Sequence, residues 1–222
     1  MGSDFGSNPS LKQLVYDNLK ERIINGTLKP GMRLREEDLS NEMNISRAPI
    51  REALNMLERD GFTTIVPRKG ALVSEVKKED LYYIWELRAL LEPYAAKIST
   101  KKIPEEKIQE VKKILESVLK EPDNMQRYMD SDLEVHNLMI DYLDNNFLKT
   151  TIQSMKAHSL RLRWLAEFSN DTQEATVLAA TKDHLDIVHA MENRDADQVF
   201  LLVKKHVANS EKRLSEAEYG EE

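Results

Sequence analysis

Residues 36–70 read EEDLSNEMNISRAPIREALNMLERDGFTTIVPRKG, and this stretch decides the fold of the first third of the chain. Three acids open a short helix over Glu36–Met43, where they meet the positive end of its dipole. Asn44-Ile45-Ser46 follows as a tight turn, with Asn44 able to take the left-handed conformation. Ser46 is placed to cap the next helix, Arg47–Asp60, whose first turn tolerates Pro49. Gly61 stops that helix. Two alternating runs, Phe62–Val66 and Ala71–Val76, flank Pro67-Arg68-Lys69-Gly70 and predict a β-hairpin.

Working outward, LKQLVYDNLKERIIN (11–25) repeats apolar residues at three and four positions, as an amphipathic helix does. Asn25-Gly26 ends it and Lys29-Pro30-Gly31 turns the chain. Helix, turn, helix and basic hairpin together form a winged helix-turn-helix, whose second helix offers its N-terminus to the major groove. Arg47 and Arg51 share one face of that helix and suit guanine edges or phosphates. Arg68 and Lys69 at the wing tip suit phosphates or the minor groove. The plain alternative is that Arg47 and Arg51 are solvated charges, with Arg51 paired to Glu52 or Glu58.

This front segment resembles the DNA-binding domain of the GntR family. The likeness rests on Gly26, Leu28, Pro30, Gly31 and Leu34 and on LSNEMNISRAPIREALNMLERDGF (39–62), with the run Ser46-Arg47-Ala48-Pro49-Ile50-Arg51-Glu52-Ala53-Leu54 at its centre. It implies that Arg35, Arg47, Arg51, Arg68 and Gly70 contact double-stranded DNA. Ser46, Pro49 and Lys69 complete the expected DNA-facing set.

The remainder has a different composition. The chain carries a formal charge of −7. Residues 11–75 hold eleven Lys and Arg against ten Asp and Glu, so the acidity lies behind them. Neither glycine nor proline occurs from Asp123 to Tyr219, which argues against sheet and for a helical assembly. Zero cysteine excludes disulfides, thiolate metal sites and cysteine nucleophiles. No apolar run is long enough to span a membrane, and MGSDFGSNPS reads as a flexible leader or tag remnant. The expectation is a cytoplasmic, mainly α protein: leader 1–10, winged helix-turn-helix 11–76 and all-α helical bundle 78–219. Helices are expected near 78–99, 104–120, 123–143, 146–168, 171–192 and 195–217, with Pro93 kinking or breaking the first.

Polar residues on apolar faces carry the chemistry of this second part. His136 lies among Met129, Leu133, Met139, Ile140 and Leu143, with Asp132 one turn earlier. His184 has Val177, Ala180, Ile187, Val188 and Met191 as helical neighbours, and His206 has Val199, Leu202 and Val203. His189 has charged neighbours and faces solvent; His158 is mixed. One inward histidine is usually an ordinary core residue. Three of them with an aspartate are satisfied together by a shared cation, and imidazole with carboxylate suits Zn, Ni, Mn or Fe better than Ca or Mg. Arg88, among Leu81, Ile84, Trp85, Leu91 and Ala95, needs an anion. Either Glu92 or Asp132 supplies it internally, or a ligand carboxylate does.

This second part resembles the all-helical effector domain of the FadR-like GntR branch, the FCD domain. ELRALLEPYAA (86–96), Asp132-x-x-x-His136, and His184 and His206 with AMENRD (190–195) between them carry the likeness. It implies a metal held by Asp132, His136, His184 and His206, and an organic-acid effector beside it, with Arg88 as its contact. The function implied is a homodimeric transcriptional regulator, a repressor, binding a palindromic operator under the control of a small carboxylate effector. Two rivals stand beside it: a metal-dependent hydrolase, which lacks a recognisable base or nucleophile, and a metal-free regulator with structural histidines.

Overall fold

Ser10 caps the first helix, α1 (Leu11–Ile24), by accepting from the Gln13 amide at 3.4 Å. Its face of Val15, Tyr16, Leu19 and Ile23 is buried. Gly26, at φ 73°, turns the chain so that the Leu28 amide reaches back to the Arg22 carbonyl at 2.8 Å. In this computed structural model residues 9–166 and 173–219 are described. The chain divides into two compact units, Met1–Lys78 and Glu79–Glu222. The leader's first eight residues and the expected helix ends at 167–168 and 171–172 lie outside the described residues.

Unit 1 continues with β1 (Arg33–Leu34), α2 (Glu36–Met43), α3 (Arg47–Arg59), β2 (Thr63–Val66) and β3 (Gly70–Val73). Asn44 does adopt the left-handed conformation, φ 53° and ψ 46°, and Ser40 Oγ donates to the Ile45 carbonyl across the turn. Ser46 occupies the N-cap of α3 with extended backbone, but its hydroxyl makes no capping hydrogen bond, contrary to expectation. α3 buries Ile50, Ala53, Leu54 and Leu57 against α1. The hairpin is β2 and β3, paired antiparallel from Thr63↔Val73 to Val66↔Gly70. β1, which the sequence pattern does not reveal, adds to the far side of β3 through Arg33↔Leu72 and Leu34↔Ala71. Two residues are too few to display the alternation that marks a strand.

Unit 2 contains α4 (Lys78–Ser99), α5 (Glu105–Lys120), α6 (Met125–Ile140), α7 (Asn146–Ala166), α8 (Gln173–Glu192) and α9 (Ala196–Tyr219). α5 packs on α6 and α8, and α8 on α6 and α9. Val118, Tyr128, Val177 and Ala180 form one cluster of that core. α4 is not broken at Pro93. The proline removes one amide donor, and the carbonyl it would have served belongs to Ala89, on the exposed side. α6 starts two residues later than expected because the Asn124 side chain caps it, accepting from Arg127 N at 3.1 Å. Between α8 and α9 the left-handed position is taken by Arg194, φ 58°, where a glycine would be usual. Its guanidinium donates to the carbonyls of Thr100 and Ile103 at 2.8 and 2.6 Å, which offsets the backbone cost.

Candidate DNA interface and metal centre

In unit 1 the exposed arginines of α3 are held by the first turn of α2. Arg51 forms a two-pronged pair with Glu36, Nε to Oε1 and Nη2 to Oε2, both 2.8 Å. Arg47 Nη2 donates to Glu37 Oε1 at 2.8 Å. The Arg51 hydrogen bonds hold the Glu36 carboxyl below its ordinary range despite some desolvation. The acids suggested by sequence are engaged elsewhere: Glu52 pairs with Lys12 at 3.0 Å, and Glu58 accepts from the Ile65 amide at 2.8 Å. Ion pairs this exposed contribute little, so a phosphate or a base edge can replace Glu36 or Glu37 at small cost.

A cleft of about 390 Å³ runs beside these pairs, and its lining brings together Arg35, Arg51, Lys69 and Gly70. Arg33 and Asn55 line it too, and the sequence reading had not singled them out. Asn55 follows Arg51 by four residues on α3, so helical spacing alone could have found it. Arg33 belongs to β1 and becomes visible only once that strand is paired. Ser46, Arg47 and Pro49 stand together at the α3 N-terminus, and Arg68, at φ 64°, forms the wing turn with Lys69.

In unit 2, α6, α8 and α9 bring four donor groups into one buried cluster. His136, His184 and His206 each offer a ring nitrogen, all within 4.8 Å of one another. His184 Nε2 stands 3.3 Å from His206 Nε2. Asp132 Oδ1 lies 3.8 Å from both His136 Nε2 and His184 Nε2. Donors around a tetrahedral ion at ~2.1 Å sit about 3.4 Å apart, so the residues present fit a divalent transition metal. Leu133, by contrast, is exposed rather than part of the face around His136.

The electrostatics favour the same chemistry. Burial lowers the His136 imidazole to about 4, against the opposing pull of Asp132 and Glu92. Burial also drives His206 well below its ordinary value, with His184, His136 and Arg88 adding to the effect. Both rings are therefore neutral at pH 7, as metal ligation requires. Their far nitrogens face carboxylates: His136 Nδ1 is 3.7 Å from Glu92 Oε2, and His206 Nδ1 is 3.9 Å from Asp183 Oδ2. Asn209 and Arg213 in turn hold Asp183, Asn209 Nδ2 at 3.0 Å and Arg213 Nη1 at 3.4 Å. Such outer carboxylates orient ligating imidazoles. His189 is exposed and His158 half-buried, and neither belongs to the cluster.

Arg88 is buried with Glu92. Its Nε donates to Glu92 Oε1 at 2.7 Å, Nη2 to Glu92 Oε2 at 3.4 Å and Nη1 to Ser159 Oγ at 2.9 Å. Of the internal anions open to it, Glu92 is the one paired. Burial alone would raise the Glu92 carboxyl, but the Arg88 charge overrides this and holds it below its ordinary range.

Residues 11–73 match the family described as bacterial regulatory proteins, gntR family, and residues 83–209 match the FCD domain. The chain is 26% identical over 204 residues to the HTH-type transcriptional repressor RspR of Escherichia coli K12, covering 90% of this chain and 88% of that one. Its fold is similar to that of E. coli McbR/YncC, with a TM-score of 0.80 at 20% identity over 94% of this chain and 99% of the other. The Zn²⁺-bound FCD domain of TM0439, a transcriptional regulator, aligns with a TM-score of 0.54 at 17% identity over 66% of this chain and 99% of that domain. The relatives are transcriptional regulators, not enzymes. Among the described residues no helix is long and apolar enough to cross a membrane. With the FCD match alone spanning more than half of its length, this chain belongs to the GntR family of transcriptional regulators, its DNA-binding front joined to an FCD effector domain.

Proposed function

We propose that the protein is a homodimeric, cytoplasmic repressor whose affinity for a palindromic operator is set by a small organic acid bound at a metal centre. Asp132, His136, His184 and His206 hold a divalent transition metal, and Arg88 meets the effector's carboxylate. The observation that carries this reading is the convergence of four buried donors on otherwise apolar helices, three imidazole nitrogens within 4.8 Å of one another and an Asp132 oxygen 3.8 Å from two of them. A metal there supplies a positive centre with positions left for a carboxylate oxygen. The Zn²⁺-bound FCD domain and the repressor among the relatives support the same reading.

The residues of the chain divide the work. Burial keeps the His136 and His206 imidazoles neutral, and the Glu92 and Asp183 carboxylates stand near their far nitrogens, where a small closure on metal binding would let them orient the rings. Arg88, anchored by Glu92 and Ser159, is a cation that an incoming carboxylate can share with Glu92. In the other unit Ser46, Arg47, Pro49 and Arg51 present the start of α3 to the major groove, and Arg35, Arg68, Lys69 and Gly70 follow the backbone beside it. The effector acts only if it binds the DNA-competent and DNA-incompetent forms with different affinities.

The test uses protein purified without chelators, duplexes that it selects from a random pool, and a panel of small mono- and dicarboxylates. Elemental analysis should find close to one transition metal per chain, and one carboxylate should change duplex affinity in loaded protein but not in stripped protein. Absence of bound metal, together with an unchanged melting temperature on chelation, overturns the metal reading.

A further inference from the structure

Trp85 and Arg88 stand one turn apart on the inner face of α4, 1% and 2% exposed. The Arg88 guanidinium carbon lies 5.0 Å from the centre of the Trp85 ring, a cation–π contact shut away from water. The guanidinium has its partners in Glu92 and Ser159. The indole does not: Trp85 Nε1 is buried and meets no hydrogen-bond acceptor among the described residues. An indole N–H can only donate, and burying it unbonded costs the full desolvation of that group. A side chain of carbon alone would fill this part of the core without that cost.

The oxygens that Arg88 touches are already in use. Glu92 Oε1 and Oε2 and Ser159 Oγ all accept from the guanidinium, and Glu92 Oε2 also stands 3.7 Å from His136 Nδ1. An acceptor for the indole therefore comes from outside the chain, and its position says of what kind. The indole nitrogen sits on the rim of the ring that Arg88 covers, so it is within roughly 7 Å of the guanidinium carbon, a gap that one carboxylate spans with two ordinary hydrogen bonds. The Arg88 charge favours an anion over a neutral oxygen there. Glu92 ties the same pair to His136, which puts this donor in the neighbourhood of the histidine cluster.

We propose that Trp85 is a second effector-contacting residue, its indole N–H donating to one oxygen of a carboxylate that lies across Trp85 and Arg88. This rests on the reading of Arg88 as the effector's anchor and adds to it a donor specific for a ligand oxygen. In the test, full-length metal-loaded protein is titrated with acetate, lactate, succinate and citrate. Calorimetry reads binding, and proton–nitrogen correlation spectroscopy follows the indole N–H signals. The chain has two tryptophans, and Trp85→Phe identifies the Trp85 signal by its loss. An acid that binds should move that proton downfield to saturation, and its uncharged amide should not. Trp85→Phe should weaken binding by about tenfold with metal content unchanged. Because phenylalanine is smaller and leaves a gap, the decisive form carries benzothienylalanine at position 85, where sulfur replaces the N–H and the shape is kept. It should melt no lower than wild type before ligand is added, yet bind the acid about tenfold more weakly. An acid that binds wild type without moving the Trp85 proton, and binds the benzothienyl form equally well, overturns this contact and leaves Arg88 as the anchor. A loaded protein that binds none of the four acids overturns both.

Discussion

The Nε2 atoms of His184 and His206 face each other at 3.3 Å where solvent is excluded. Between two neutral imidazoles only one of these nitrogens can donate, so a single hydrogen bond is the most the pair can make on its own. Asp132 Oδ1 stands 3.8 Å from His184 Nε2, on the same side as the His206 nitrogen. A cation accepts lone pairs from all of these groups at once.

Stripping the metal should therefore destabilise unit 2 selectively. Chelation should lower its melting temperature and leave that of unit 1 unchanged, and Zn²⁺ or Ni²⁺ should restore it. His184→Ala should abolish the response to chelator and reduce bound metal by about 10- to 100-fold or more in affinity. Differential scanning calorimetry with and without chelator checks this; equal shifts in wild type and variant would count against it.

The same cluster sets a pH dependence with a definite sign. His136 titrates near 4 in the folded protein, below its ordinary 6.5, because burial disfavours its charge. As pH falls below about 6.5 the unfolded chain takes up the proton first, so stability present above 6.5 is lost towards pH 4. His206 shifts in the same direction. The metal-stripped protein should show a melting temperature that falls across this window, with roughly 3 kcal/mol attributable to His136. A melting temperature that rises on acidification through the same range contradicts the assignment.

At the DNA face, Arg51→Ala should weaken duplex binding by about 1–3 kcal/mol if it contacts a base. Glu36→Ala should do the reverse. Glu36 holds Arg51 in the free protein, and removing it releases the guanidinium for DNA without losing a buried contact. An exposed pair of this kind contributes about 1 kcal/mol at most, so the gain should be no more than roughly fivefold. Fluorescence anisotropy at several salt concentrations separates the two effects. Weaker binding by Glu36→Ala would show that the carboxylate positions Arg51 rather than competing for it.

Much of this architecture is legible in the residues because it is local. The boundaries of α2 follow from three acids and Asn44, and those of α4 and α5 from apolar periodicity. What is not legible arises from distant packing. β1 exists only because β3 lies beside it, and Arg194 takes a left-handed turn only because two carbonyls from the α4–α5 connection receive its guanidinium. The inward placement of the three histidines can be read from their neighbours. The roles of Asp183 and Glu92 cannot, because each belongs to the site only through a side chain on another helix. The pairing of Arg47 and Arg51 with α2 is likewise invisible to helical spacing on α3, which points to Glu52 and Glu58 instead.

The Arg88–Glu92 pair allows stability and effector response to be separated. Both groups are buried, so removing one leaves the other charge without compensation, and Arg88→Met should cost about 3–5 kcal/mol. Glu92→Leu should cost a similar amount, because it leaves the Arg88 guanidinium buried against the Trp85 ring and the Ser159 hydroxyl with its carboxylate removed. The double variant Arg88→Met with Glu92→Leu removes both charges and replaces them with apolar side chains. It should be more stable than either single variant, as buried pairs exchanged for hydrophobic residues often are. If Arg88 is the effector's anchor, the double variant should fold, retain metal and bind duplex, yet give no response to the carboxylate that regulates the wild type. Denaturant titration, elemental analysis and duplex binding with and without that carboxylate decide the matter. A stable double variant that still responds would assign Arg88 to the core alone and leave the effector to the metal and its ligands.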